Sequence, residues 1–170
     1  CIHERHGLKL LVEAFMRLPQ KDIRLVLFGD GPFCEKLDAY ISQDPRIIYK
    51  GVVPNNEVVD AELRATLLIN PRPTHEPFVY YSFPSKNLEY MATGTPVVTT
   101  KLPCFPEEYD PYLYYMEDVS VAGFYSSLNA ILSLGTEELK EKGRSCKEFV
   151  LEKKNNVIQS KRILDLINSL

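Results

Sequence analysis

Short apolar runs alternating with helix-patterned stretches constrain this chain more than any other feature. Residues 25–28 form a continuous apolar run, Leu-Val-Leu-Phe, closed at once by Gly-Asp-Gly-Pro at 29–32. A run of that length without polar alternation predicts a strand buried on both faces, as in parallel sheets. Runs at 47–49, 66–69 and 97–99 repeat the pattern, and 112–115 is expected to add another. Between them, 8–18 carries Leu8, Leu11, Val12, Phe15 and Leu18 at helical spacing and stops before Pro19. Residues 33–41 and 57–64 are expected to be helical, and a helix opening at Pro84 has Leu88, Met91 and Ala92 on its inner face until Gly94 stops it. Three more helices follow, near 119–133, 137–152 and 156–169, the last with Ile163, Leu166, Ile167 and Leu170 on one face. Strands alternating with helices imply right-handed crossovers and one α/β domain, a doubly wound, Rossmann-like parallel sheet covered on both sides. Such sheets bind ligands at the carboxyl ends of their strands, here the loops at 29–32, 50–56 and 70–89.

Composition removes several function classes. With 170 residues, 45% of them hydrophobic and 25% charged, the chain has the profile of one globular domain with a sizeable core. Twenty Lys and Arg against 23 Asp and Glu leave a net charge of -3, so no overall field draws it to nucleic acid or an anionic membrane. Any anion must be bound locally. Cys1, Cys34, Cys104 and Cys146 form no CxxC pair and have no His cluster beside them, which argues against a zinc site and a disulfide framework and for a reducing cytoplasm. The sequence opens on Cys1 with no export signal and no run of 18 apolar residues, and is expected to be a fragment.

The segment from Asn70 to Val98 carries the chemistry. Pro84 fixes the first helical turn, so the N-H groups of Ser85, Lys86 and Asn87 are expected to point out of the helix beside the Ser85 hydroxyl and the Lys86 ammonium. Aligned peptide dipoles place about half a positive charge there, which favours a diphosphate. Glu89, one turn further, can accept from two vicinal hydroxyls such as those of a ribose. Phosphate donors and a hydroxyl acceptor on one helix end describe a nucleotide site. The competing reading is a helix that Ser85 merely caps, with Lys86 and Glu89 as a surface pair.

FPSKNLEYMATGTPVV resembles the signature helix of the retaining GT-B glycosyltransferases often called family 4. The variant with NPRP and YSFPSK is similar to enzymes that build bacterial capsule and exopolysaccharide. The likeness runs from HGLKLLVEAF through LVLFGDGP, RIIYKGVVP, LLINPRP and the signature helix to FVLEKKN. It implies the nucleotide-sugar-binding, C-terminal half of such an enzyme, residues 1–170 forming the donor domain and an N-terminal acceptor domain being absent. By position, Glu89 matches the residue that holds the ribose, and Ser85, Lys86 and Asn87 match those whose backbone receives the diphosphate. Val53 matches a residue whose main chain reads the base, and Gly29, Asp30 and Gly31 match the glycine turn that admits the nucleotide. An ordinary strand-to-helix turn remains the alternative for these glycines, because a lone GxG is a weak signal.

The sequence departs from the family pattern in three places. Eight residues before Glu89 stands Tyr81, where the family has the Glu that holds the donor hexose; Glu76, five residues earlier, is the nearest acid. The family's phosphate-binding Arg and Lys ahead of the helix glycine fall on Cys1 and His6. Arg5, Arg72 and Lys86 are the candidates to replace them, Arg72 above all, because its fork can hold phosphate at two points.

The implied reaction transfers a hexose, with retention, from a UDP- or GDP-sugar to a glycan or lipid-linked acceptor. Lys86, Arg72 and the helix N-terminus would stabilise the leaving diphosphate. The absence of any DxD pair points to metal-independent transfer and no cofactor. His3, His6 and His75 form no catalytic set, and Glu107, Glu108 and Asp110 are expected in a solvated turn. The fragment alone is expected to transfer nothing. Its expected location is the cytoplasm, with peripheral attachment to the inner membrane through the absent half left open. The alternative function is a non-catalytic nucleotide-binding or interaction module; a dinucleotide-dependent oxidoreductase is disfavoured because GDGP lacks the third glycine of GxGxxG.

Overall fold

The computed structural model describes residues 2–169. Five strands alternate with seven helices: α1 Leu8–Met16, β1 Leu25–Leu27, α2 Cys34–Gln43, β2 Ile47–Tyr49, α3 Asn55–Arg64, β3 Leu68–Asn70, α4 Ser85–Thr93, β4 Val97–Thr100, β5 Tyr114–Met116, α5 Val121–Leu132, α6 Thr136–Lys153 and α7 Asn156–Asn168. All pairings among them are parallel, in two pieces: β1 with β2, and β3-β4-β5 with β4 central. The predicted α/β class and each expected element are present, with ends shifted by a few residues.

β4 shows why the sheet is covered on both faces. Neighbouring strand residues point to opposite sides, and Val97 and Val98 are both fully buried, in different cores. Val98 joins Leu11, Val12 and Phe15 of α1, Leu37 of α2, Met116 of β5 and Phe124 and Leu128 of α5. Val97 joins Met91 of α4, Cys146, Phe149 and Val150 of α6, and Leu102, Phe105 and Tyr109 from the loop after β4. α4 and α6 meet through glycines: a Cβ on Gly143 would lie 2.0 Å from the carbonyl oxygen of Gly94, the left-handed residue that ends α4.

Two expectations are corrected. The run at 25–28 is not buried on both faces: Leu25 and Leu27 are inside, but Val26, on the opposite face of the strand, is 41% exposed. The apolar face of the last helix does not pack inward either. Ile163, Leu166 and Ile167 are exposed, and Leu170 lies outside the described residues. Among the described residues no helix is long and apolar enough to cross a membrane.

Candidate functional site

The site is built outward from the start of α4. Pro84 is the N-cap, and no side chain caps the helix. The N-H of Asn87 donates to the Pro84 carbonyl at 2.8 Å, whereas nothing among the described residues accepts from the N-H groups of Ser85 and Lys86. Two amides are therefore open, not the three expected. Asn87 has a different role, being fully buried. Its Oδ1 accepts from Asn70 Nδ2 at 2.6 Å and its Nδ2 donates to Thr99 Oγ1 at 3.3 Å, while Thr99 donates to the Asn70 carbonyl. This network pins α4 to the ends of β3 and β4 and so fixes where the open amides point.

A second helix start lies nearby. Gly7, at φ 82°, precedes α1 without a side-chain cap, and a Cβ there would sit 1.8 Å from the Pro71 carbonyl oxygen. Only glycine permits that approach. It places the turn Glu4–His6 against the chain leaving β3, where Arg72 begins the long loop. Arg72 reaches toward the Ser82 carbonyl at 3.4 Å, two residues before Pro84, and its guanidinium lies 5.3 Å from the Phe78 ring centre. His6 packs edge-on against the same ring. Burial first, then the neighbouring Arg72 charge, lower the proton affinity of His6 below the ordinary histidine value. The structure thus brings Arg72 and His6 together around the Phe78 ring. Arg5 is exposed, and Cys1 lies outside the described residues.

The glycine turn joins the same edge of the sheet. Gly29, at φ 106°, donates to the Gly51 carbonyl at 2.7 Å, tying the turn after β1 to the turn holding Val53 after β2. A Cβ on Gly31 would meet the Ile2 carbonyl oxygen at 2.3 Å, so the segment leading to His6 lies across this turn. The Asp30 carboxylate accepts from the Gly31 N-H at 2.8 Å and is exposed. Val53 is half-buried beside exposed Val52.

Lys86 and Glu89 form the surface pair of the competing reading, at 3.3 Å, each about half exposed. A third charge was missed: Glu62 of α3 is 6% exposed and its carboxylate lies 3.6 Å from Lys86 Nζ. Tyr90 lies under the same ammonium, its ring centre 5.4 Å away. Sequence did hold a hint. Glu62 follows Val58 by four residues and Val59 by three, which puts it on the apolar stripe of its helix.

Elsewhere, Tyr81 is 92% exposed, and Glu76 is half-buried with His75 at 4.0 Å. Asp110 pairs with Lys101 at 2.7 Å and accepts from Tyr115, and Glu108 pairs with Lys154. Asp110 and Glu108 are thus structural partners rather than free acids, and Glu107 is exposed.

Several solved structures share this fold. Alr3699/HepE of Anabaena, solved with UDP and glucose, superposes with a TM-score of 0.77 at 16% identity, over 99% of this chain and 46% of that one. The catalytic domain of cholesterol-alpha-glucosyltransferase from Helicobacter pylori gives 0.66 at 19%, over 88% and 92%. WaaG, a glycosyltransferase involved in lipopolysaccharide biosynthesis, gives 0.65 at 19%, over 85% and 40%. This chain spans about half the length of HepE. A search of curated proteins finds no match. Residues 2–133 match the model of the glycosyl transferases group 1 across the glycine turn, the Arg72 loop and α4, and the chain belongs to that family.

Proposed function

We propose that this chain is the donor-binding half of a retaining, family 4-like GT-B glycosyltransferase. It holds a UDP- or GDP-linked hexose and, with an acceptor-binding half, passes the sugar to a glycan or lipid-linked acceptor in bacterial capsule or exopolysaccharide synthesis. The observation that carries this reading is the uncapped N-terminus of α4, its Ser85 and Lys86 amides open while Asn87 is tied to β3 and β4, with Glu89 one turn along the helix. An uncapped helix start offers donors to phosphate, and a carboxylate one turn along it offers an acceptor to ribose hydroxyls. The turns at Gly29–Gly31 and Val53 continue the same edge toward the base.

In this reading the bond between the anomeric carbon and the diphosphate oxygen breaks, and negative charge builds on the leaving group. The Ser85 and Lys86 amides, the Lys86 ammonium and Arg72 stabilise that charge. The enzyme works in the cytoplasm, with the acceptor half making any contact with the inner membrane, and the isolated chain transfers nothing. Neighbours solved with UDP and with UDP-glucose support a nucleotide-sugar partner.

The test is transfer by the full-length enzyme from UDP- and GDP-hexoses to glycan and lipid-linked acceptors, with and without a chelator, the product's anomeric configuration being read by NMR. Chelator-resistant transfer with retention is expected. Tight nucleotide binding without turnover of any donor would favour a non-catalytic module.

A further inference from the structure

Glu62 holds a position that a solvated surface acid does not. Its carboxylate is enclosed between α3 and α4, one oxygen facing Lys86 at 3.6 Å and the other, Oε2, buried with no hydrogen-bond partner. The titratable groups facing it are Lys86, Glu89 and Tyr90, all from α4. Lys86 therefore serves two carboxylates at once. If the ammonium moves to a phosphate, Glu62 loses the one cation it has among the described residues and is left as an isolated buried charge, a state proteins avoid by protonation.

We propose that Glu62 is a positioning residue that shares Lys86 with the diphosphate: the ammonium passes from Glu62 and Glu89 to phosphate on binding, and a solvent proton takes its place on Glu62. When the diphosphate leaves, Glu62 loses that proton and reclaims Lys86. The exchange frees Glu89 for the ribose hydroxyls, since the same ammonium is paired with that carboxylate. It also holds down affinity for the diphosphate product and so favours its release. Burial, reinforced by Glu89 and opposed by Lys86, already raises the Glu62 carboxyl above its ordinary value, so removing Lys86 drives it further in the direction the exchange needs. The inference rests on the reading that Lys86 meets the diphosphate.

The experiment is calorimetric titration of UDP into the full-length protein near pH 6.5, in buffers of different ionisation enthalpy, for the natural protein, Glu62→Gln and Lys86→Met. Proton uptake by His6 and titration of the phosphate itself are common to the natural protein and Glu62→Gln and cancel in their difference. Glu62→Gln is expected to bind UDP about fivefold more tightly, the scale of a half-exposed ion pair no longer competing for Lys86, and to take up fewer protons than the natural protein. Equal or weaker affinity, or an unchanged proton count, overturns the proposal. If Glu62→Gln does not fold, Lys86→Met decides: with no ammonium to move, Glu62 is protonated before UDP arrives, and proton uptake must fall below that of the natural protein. Should Lys86→Met leave UDP affinity untouched, the assignment of Lys86 to the diphosphate fails instead.

Discussion

Gly7 and Pro71 meet backbone to backbone, the Pro71 carbonyl oxygen standing 1.8 Å from where a Cβ on Gly7 would be. This approach sets the start of α1 against the chain entering the Arg72 loop. Gly7 also has φ 82°, so any other residue faces strain and collision together. Gly7→Ala is expected to cost about 3 kcal/mol or more in denaturant unfolding, the scale of a residue forced into a special backbone position against a rigid neighbour. Nucleotide affinity should fall as well, because Arg72 shifts with Pro71.

Arg72→Ala should show the opposite balance. Its long contact to the Ser82 carbonyl and its place over Phe78 contribute little to the fold. As a cation on the diphosphate it is worth about 1.5 to 3 kcal/mol of binding, roughly tenfold to a hundredfold in UDP affinity. Unchanged UDP binding with unchanged melting would return Arg72 to the solvent.

Asn87→Ala is expected to destabilise the ligand-free protein by about 1 to 3 kcal/mol, since it leaves Asn70 and Thr99 with unmet polar groups in the interior. Thermal unfolding without nucleotide checks this. A mutant of normal stability would contradict the pinning role.

Asp44 and Arg46 form a buried pair at 2.7 Å at the other end of β2, and Arg46 also donates to the carbonyls of Leu18 and Gln20. Arg46 holds the Asp44 carboxyl below its ordinary value of 3.8. A depressed carboxyl adds stability that is present above the unfolded-state value and is lost as pH falls through the folded one. Asp44→Asn should therefore cost about 2 to 3 kcal/mol at neutral pH, and its deficit should shrink as the pH drops below about 4. Urea unfolding of both proteins across that range reads the effect, and a deficit independent of pH would contradict it.

Glu89→Gln separates a ligand-binding role from a structural one. The side chain is half exposed, and its pair with Lys86 is worth at most about 1 kcal/mol, so ligand-free melting should barely move. Loss of a charged acceptor from the ribose should weaken nucleotide binding by about 1.5 to 3 kcal/mol. A destabilised protein with normal nucleotide affinity would refute the role.

The strand-helix alternation and the start of α4 were legible because each rests on local rules: apolar runs, Pro84 before the helix and Gly94 after it. Tertiary contacts decided the rest. Val26 sits in an unbroken apolar run, yet only its neighbours determine that its face is open. Asn87 looks like a third amide donor until Pro84, Asn70 and Thr99 are seen to occupy its polar groups. Arg72 was singled out from its place in the loop, but its company with His6 depends on the contact between Gly7 and Pro71, 64 residues apart. Glu62 carried only a faint periodic signal, and its pairing with Lys86 depends on how α3 lies along α4.

The most direct measurement is calorimetric titration of the protein with UDP and with UMP under one set of conditions, repeated with GDP and GMP. If the two open amides, Arg72 and Lys86 receive a diphosphate, its second phosphate should add at least one charge-assisted hydrogen bond, about tenfold or more in affinity. The account predicts that the diphosphate binds at least that much more tightly and that the gap narrows with added salt. Equal affinity for UDP and UMP, and for GDP and GMP, would contradict the assignment of the α4 N-terminus to a diphosphate.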